Sequence, residues 1–425
     1  MSELLDRILS KQNMSIAFKS VVANKGSAGV DGVTVEDARE YTQRNWKSIK
    51  TQIKERTYRP NPVKRVVIPK PNGGKRNLGV PTVMDRIIQQ AIVQVISPMC
   101  EPYFSEYSYG FRPGRSCEMA IVKLLEYLND GYEWIVDIDL EKFFDNVPQD
   151  KLMSLVHNII NDGDVESLIR KYLQAGVMIK GEYEDTRLGT PQGGNLSPLL
   201  SNIMLNELDW ELERRGLHFT RYADDCVIAV RSEAAAKRVM YSITKFIEKK
   251  LGLKVNMTKT KIVRPCNLKY LGFSFYKNMT GWRSRPHRDS VQKFQRTLKR
   301  LCKRSWSISM TERIQRVNWA VRGWINYFAI ADMKRAMSKT DEHLRTMIRI
   351  IIWKQWKVPQ KRRWGLLKLG VPVWLANKVS LWGNHYQFVA QNSVLKKAVS
   401  KQILARRGLV SCLDYYNERH SLKFS

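Results

Sequence analysis

Cysteine is scarce and scattered: the chain has 6, at positions 100, 117, 226, 266, 302 and 412, never as a close pair. A CxxC-type metal site is therefore excluded. A disulfide framework is not expected in a chain of 425 residues, and a reducing, cytoplasmic compartment is. No apolar run approaches the ~20 residues that span a bilayer, so neither an integral membrane protein nor a membrane partner is expected. The opening MSELLDRILSKQ carries charges of both signs and no apolar segment, unlike a secretory or transit peptide. Internal repeats and low-complexity tracts are missing too. Acidic residues run short in one region only. Residues 264–425 hold 34 Lys and Arg against 7 Asp and Glu, whereas residues 1–263 hold 38 against 33. Nearly all of the net charge of +32 thus lies in the last 162 residues. An imbalance that lopsided calls for a polyanionic partner, nucleic acid in the first place. A membrane surface fits less well, because the basic helices also carry bulky apolar faces that read as core.

What is present describes a globular protein. Hydrophobic residues make up 43% and charged residues 26%, enough for a real core, and the length suggests two or three domains. Val63–Pro69 has strand composition, and Pro71-Asn72-Gly73-Gly74 after it is a hairpin-turn signal. Met84–Ile96 reads as a helix with Ile87, Ile88, Ala91, Ile92 and Val95 on one face. Trp134–Ile138 reads as a short buried strand that ends in acid. Phe219–Val230 reads as two strands joined at Ala-Asp-Asp. In the basic part, Val291, Phe294, Leu298 and Leu301 recur at helical spacing, while Lys293, Arg296, Lys299, Arg300, Lys303 and Arg304 fill the other faces. A second helix is expected near Thr311 and a third over Asp341–Trp356. Trp319, Trp324, Tyr327 and Phe328 are expected to be helix core rather than base-stacking platforms. The coarse architecture is a mixed α/β body followed by a basic, helical region.

Burying an ionised Asp costs several kcal/mol unless it is paired or bound to metal. This chain ends strands in carboxylates twice, in Trp134-Ile135-Val136-Asp137-Ile138-Asp139 and in Arg221-Tyr222-Ala223-Asp224-Asp225. Either alone is most simply a solvated turn. Together, in a basic chain, they suggest carboxylates from adjacent strands converging on Mg²⁺, which leaves room for substrate phosphates. Two such ions would clamp the attacking and leaving oxygens of a phosphoryl transfer.

VDIDLEKFFD, SYGFRPGRS, GTPQGGNLSPLLSNIMLNELD, RYADD, KYLGF and RGWINYF, in their order and spacing along the chain, resemble the ordered motifs of reverse transcriptases. Their spelling is similar to that of group II intron-encoded proteins, which are reverse transcriptases and also maturases. The resemblance runs over essentially the whole chain, without the Cys and His cluster of an endonuclease domain, as in the compact members associated with class C introns. It implies an α/β right-hand polymerase, fingers and palm, followed by an all-α thumb (domain X). The implied divisions are an N-terminal extension over 1–60, fingers and palm over 61–262, thumb over 263–385 and a basic nucleic-acid-binding tail over 386–425.

By the same resemblance, Asp139, Asp224 and Asp225 are the catalytic, metal-holding acids, with Asp139 preferred to Asp137. The cofactor implied is Mg²⁺, two ions per site, with Mn²⁺ as a substitute. Phe144 falls where the family places its gate against a 2′-hydroxyl, and Gln192 where it contacts the incoming nucleotide. Lys70 and Arg76 correspond to the fingers cations that grip the triphosphate, and Lys259, or alternatively Lys261, to a lysine on that side. Leu271, Gly272 and Phe273 correspond to the primer grip, and the stretch 24–32 to a template-holding loop. Lys293, Arg296, Lys299, Arg300, Lys303 and Arg304 are the candidate RNA- and DNA-binding cations. The implied partners are intron RNA, an RNA template, a DNA primer, target DNA and dNTPs, in a bacterial cytosolic ribonucleoprotein active in splicing and retrohoming. Two rival readings share this descent: a non-catalytic splicing factor, and an enzyme of phage defence or CRISPR adaptation.

Overall fold

The computed structural model describes residues 2–69, 73–179, 181–185, 188–190 and 193–424. It divides into two compact units, Met1–Pro265 and Cys266–Ser425.

The strands of the first unit are β1 (Val63–Pro69), β2 (Lys75–Val80), β3 (Trp134–Ile138), β4 (Val177–Ile179), β5 (Glu182–Glu184), β6 (His218–Tyr222), β7 (Asp225–Val230) and β8 (Lys261–Val263). They form two four-stranded sheets, β2-β1-β4-β5 and β6-β7-β3-β8. In the second sheet β3 runs antiparallel to both β7 and β8. A strand with neighbours on both edges and helices against it needs a continuous apolar run, and Ile135 and Val136 are fully buried there. Ile138 lies opposite Cys226, and β6 turns into β7 through Ala223-Asp224 alone. This register carries the carboxylates just past β3 and those of the β6–β7 turn to the same end of the sheet.

Around the sheets, the helices Val83–Cys100, Gln149–Ile160 and Ser197–Arg214 share one core with the N-terminal helices. Thr82 caps the first of these by accepting from the Asp85 N–H at 3.1 Å. The β1–β2 pair has the strand composition read from Val63–Pro69, yet Val66, Val67 and Ile68 stay exposed. Loop 24–32 is tied to this body where Arg86 Nη2 donates to the Ser27 carbonyl at 2.5 Å.

The second unit opens with an antiparallel hairpin of β9 (Phe273–Asn278) and β10 (Gly281–Pro286) and is otherwise helical. Helix Arg288–Leu301 buries Phe294, Leu298 and Leu301 against helix Met310–Tyr327, where the Phe294 ring stacks on Trp324 at 4.5 Å. The third helix starts at Lys334, seven residues before the expected Asp341. Met333 at its N-cap makes no side-chain capping bond, so no capping signature marks the start in the sequence.

The stretch expected as a basic tail is folded into short helices and the terminal helix Cys412–Phe424, which packs on the two long helices. Asp341 caps that terminal helix, accepting from the Cys412 N–H at 2.7 Å and the Leu413 N–H at 3.0 Å. Arg349 reaches the Val399 carbonyl at 3.1 Å. Among the described residues no helix is long and apolar enough to cross a membrane.

Candidate active site

At the end of the β6-β7-β3-β8 sheet, Asp139, Asp224 and Asp225 line one cleft of about 520 Å³. Backbone bonds set Asp139 in place. Its N–H donates to Thr260 Oγ1 at 3.1 Å, and its carbonyl accepts from the Asn256 N–H at 2.8 Å. The loop so attached brings Lys259 Nζ to 3.2 Å from both Asp139 carboxylate oxygens. Lys261, the alternative, instead faces Asp137, with Nζ 3.7 Å from Oδ2. Lys259 lines the cleft and Lys261 does not; Asp139 lines it and Asp137 does not.

The acids crowd one another. The Asp225 carboxyl is pushed up to about 6, by desolvation first and then by Asp224, Asp137 and Asp139, with Lys259 opposing. Desolvation also raises Asp137, against the pull of Lys261. Because the folded state holds Asp225 above the ordinary carboxylate value, it prefers that group protonated. The group then costs stability as pH rises from the unfolded value near 3.8, and the cost is complete above about 6. Asp225 is exposed, so water screens much of this cost, and Asp225→Asn should raise the melting temperature of the metal-free protein at pH 7.5 only slightly. The gain should shrink as pH falls toward 5. Thermal scans across that range check it, and a gain that grows in acid contradicts it.

The cleft is also lined by cations. Lys75 and Arg76, at the start of β2, line the same cleft with Lys142. Lys75 and Lys142 received no role from the sequence, where each reads as one more surface cation. Phe144 also lines the cleft, half-buried and edge-on to the buried Phe143 at 5.3 Å. Phe143 is buried core and also edges the cleft, and Phe144 packs against that core. Gly189 and Thr190 hold the short helix Phe143–Asn146 and the residue after it by backbone bonds. Gly189 N–H donates to the Val147 carbonyl at 2.8 Å, and Thr190 N–H to the Phe144 carbonyl at 2.7 Å. A Cβ on Gly189 would come within 2.6 Å of the Phe144 carbonyl oxygen, and its φ of +88° suits glycine. Gln192 and Lys70 lie outside the described residues.

The remaining candidates belong to the second unit. Leu271 and Gly272 form a left-handed turn before β9, with φ of +48° and +81°. Tyr327 Oη donates to the Leu271 carbonyl at 2.9 Å, and Ser290 Oγ to that of Gly272 at 3.0 Å. The Phe273 ring is fully buried, 4.8 Å from Phe328, so only the turn before it can meet a ligand. All six cations from Lys293 to Arg304 are exposed. Arg304 packs over the Tyr386 ring at 4.6 Å. The expectation of four core aromatics is corrected for two: Trp319 is 63% exposed and Tyr327 44%, while Trp324 and Phe328 do pack inside. Helical spacing alone did not distinguish the buried edge of the stripe from its solvent edge.

Among the described residues no group of three or more His, Cys, Asp or Glu is arranged to hold a metal ion by itself. The cleft still fits a hard divalent cation. Mg²⁺ takes only one or two protein carboxylates, completing its shell with water and substrate phosphate, so no closed protein cage is required. Asp225, lifted by desolvation first and then by its acidic neighbours, and Lys259 Nζ, drawn onto Asp139, mark a place where added positive charge is favourable.

The β6-β7-β3-β8 sheet, the other sheet apart from most of β1, and the acidic cleft fall within a match, over residues 68–275, to the reverse transcriptase (RNA-dependent DNA polymerase) family. This sets the class of the first unit. Residues 291–370 match the group II intron maturase-specific domain. The chain is 33% identical over 299 residues to protein YkfC of Escherichia coli (strain K12), covering 61% of this chain and 78% of that one. It is 40% identical over 195 residues to the group II intron-encoded protein LtrA of Lactococcus lactis subsp. cremoris, covering 46% of this chain and 32% of LtrA. With the putative COX1/OXI3 intron 2 protein of Saccharomyces cerevisiae, identity is 29% over 335 residues, 64% of this chain and 38% of that one. The chain belongs to the group II intron-encoded reverse transcriptases that carry a maturase domain. It spans about a third of the length of LtrA.

Proposed function

We propose that the protein is an RNA-directed DNA polymerase that also binds its intron RNA as a maturase, and that it supports retrohoming by target-primed synthesis. The observation that carries the polymerase reading is one cleft lined by Asp139, Asp224 and Asp225 together with Lys75 and Arg76. A primer 3′-hydroxyl attacks the α-phosphorus of a dNTP, and pyrophosphate leaves. Asp139, Asp224 and Asp225 would hold Mg²⁺, two ions in the family's arrangement, with Mn²⁺ able to replace it. When bound, the metal supplies charge neutralisation for the transferring phosphoryl group and orients it. Arg76 offers the triphosphate a bidentate fork and Lys75 a point charge. Positioning and charge stabilisation then do the catalytic work. The maturase reading rests on the match over residues 291–370 together with the exposed cations from Lys293 to Arg304. The partners are intron RNA, template, primer and target DNA in a cytosolic ribonucleoprotein.

The test pairs two assays on one preparation: extension of oligo(dT) on poly(rA), and splicing of the cognate intron at low Mg²⁺ with and without protein. No extension by the intact chain overturns the polymerase reading, and no gain in splicing overturns the maturase reading. Within the first assay, Phe144→Ala should raise ribonucleotide incorporation relative to deoxyribonucleotide. The variant removes a ring from the cleft wall and no hydrogen bond, so the ratio of the two kcat/KM values is the readout. A shift of about 1–3 kcal/mol, or 10–200-fold, is the ordinary reach of such a steric wall. An unchanged ratio would place the gate elsewhere.

A further inference from the structure

The sequence groups Ser-Tyr-Gly, Leu-Asn-Glu-Leu-Asp and Arg-Tyr-Ala-Asp-Asp meet beneath the catalytic turn, around a side chain with no role so far. Arg221 is fully buried, and each of its five N–H donors has an acceptor. Nε and Nη2 grip the two Asp209 carboxylate oxygens at 2.7 and 2.5 Å. Nη2 also donates to Ser108 Oγ at 2.7 Å, and Nη1 to Asn202 Oδ1 at 3.1 Å. The last donor, on Nη1, goes to the Ala223 carbonyl at 2.8 Å. Asp209, Ser108 and Asn202 are fully buried as well.

The turn is held from the other side by backbone. The Tyr109 N–H donates to the Arg221 carbonyl at 2.8 Å, and Asn202 Nδ2 to the Gly110 carbonyl at 2.8 Å. Gly110 lies so close that a Cβ there would come within 2.2 Å of the Ala223 nitrogen. Ala223 itself sits at φ +58°, a left-handed conformation that an L-residue keeps only when its surroundings impose it. We infer that Arg221, locked by Asp209, Asn202 and Ser108, is a positioning residue: it fixes the Ala223 carbonyl and thereby the aim of the Asp224 and Asp225 carboxylates.

A buried ion pair is a weak source of stability, but a guanidinium with all donors used is a rigid bracket. Lysine would bring charge without the fork. The inference rests on the polymerase reading of the cleft, and the test separates the two. Arg221→Lys, Ser108→Ala and wild type are compared in three ways: steady-state extension with dTTP, Mn²⁺ binding by the free-ion electron paramagnetic resonance signal, and hydrogen exchange of peptides covering 219–228. In Arg221→Lys, kcat should fall about 10–100-fold, as for groups that orient a metal ligand, with KM for dTTP within about twofold. Mn²⁺ affinity should fall about tenfold, and exchange should accelerate in 222–226 while the rest of the sheet stays protected. Ser108→Ala removes one acceptor and serves if Arg221→Lys does not fold; its Mn²⁺ affinity should fall about threefold, less than the ~10–100-fold of a whole orienting group because four of the five donors keep their acceptors. A folded variant with wild-type Mn²⁺ affinity and local exchange overturns the inference. So does protection lost evenly across the sheet. A wild type that extends no primer overturns only the polymerase reading, since exchange and Mn²⁺ binding still decide on Arg221.

Discussion

Asp224→Asn should abolish primer extension and leave RNA affinity nearly unchanged. Asp224 lies at the tip of the β6–β7 turn and lines the cleft with Asp139 and Asp225. Its amide would fill the same space with one oxygen fewer and no charge. Groups that only orient a metal ligand are worth about 10–100-fold, so a direct ligand should cost at least about a hundredfold. Affinity comes from elsewhere: 34 Lys and Arg against 7 Asp and Glu lie in residues 264–425. Extension of oligo(dT) on poly(rA) beside a filter-binding titration checks both halves. Extension near the wild-type rate would remove Asp224 from the metal site. A fall in RNA affinity of the same size as the fall in extension would mean that the turn holds RNA rather than metal.

Much of this site was legible because it rests on local rules. β3 is apolar where it is fully covered, at Ile135 and Val136, and the acids that follow, Asp137 still within the strand and Asp139 just past it, mark both the strand and its active end. The Ala-Asp-Asp break between two apolar runs marks the hairpin. The choice between Lys259 and Lys261 was not legible. The two lie two residues apart, a spacing that would keep them on one face of a continuous strand, but Lys259 sits in the turn before β8 and meets Asp139, while Lys261 begins the strand and pairs with Asp137 across β3. Arg221 was hidden for a different reason. Its partners Ser108, Asn202 and Asp209 are up to 113 residues away, and no periodicity in the chain records a contact of that span. Trp319 and Tyr327 failed in the opposite sense, since helical spacing shows which residues share a stripe and not how much of the stripe is covered. The helices within the basic tail were not legible because short ones, Ser393–Ala398 and Lys401–Arg406 among them, give too few turns for a periodic signal.

Reversing Arg296, Lys299, Arg300 and Lys303 to Glu should weaken binding to duplex RNA irrespective of sequence and flatten its salt dependence. Each phosphate neutralised on B-DNA contributes about −0.9 to the slope of log affinity against log salt, and single strands about −0.7. If all four cations contact phosphate, the slope should lose on the order of 3 units. The four side chains are exposed, while the helix is held by Phe294, Leu298 and Leu301 on its buried face, so the fold should survive. Glu in the last turn of a helix opposes the dipole at about 0.3–1 kcal/mol per residue, and Lys299 and Arg300 sit in that turn. A matched Gln variant removes this cost and should lose roughly half the binding effect, because it deletes attraction without adding repulsion. Splicing assistance should fall with polymerisation, since one helical surface is proposed to serve both RNAs, whereas Asp224→Asn should spare splicing. Filter binding from 50 to 300 mM salt, with both activity assays on the same preparations, decides the matter. An unchanged slope in the Glu variant would place the polyanion surface on other faces of the second unit. Splicing retained beside lost polymerisation would divide template and intron between separate surfaces.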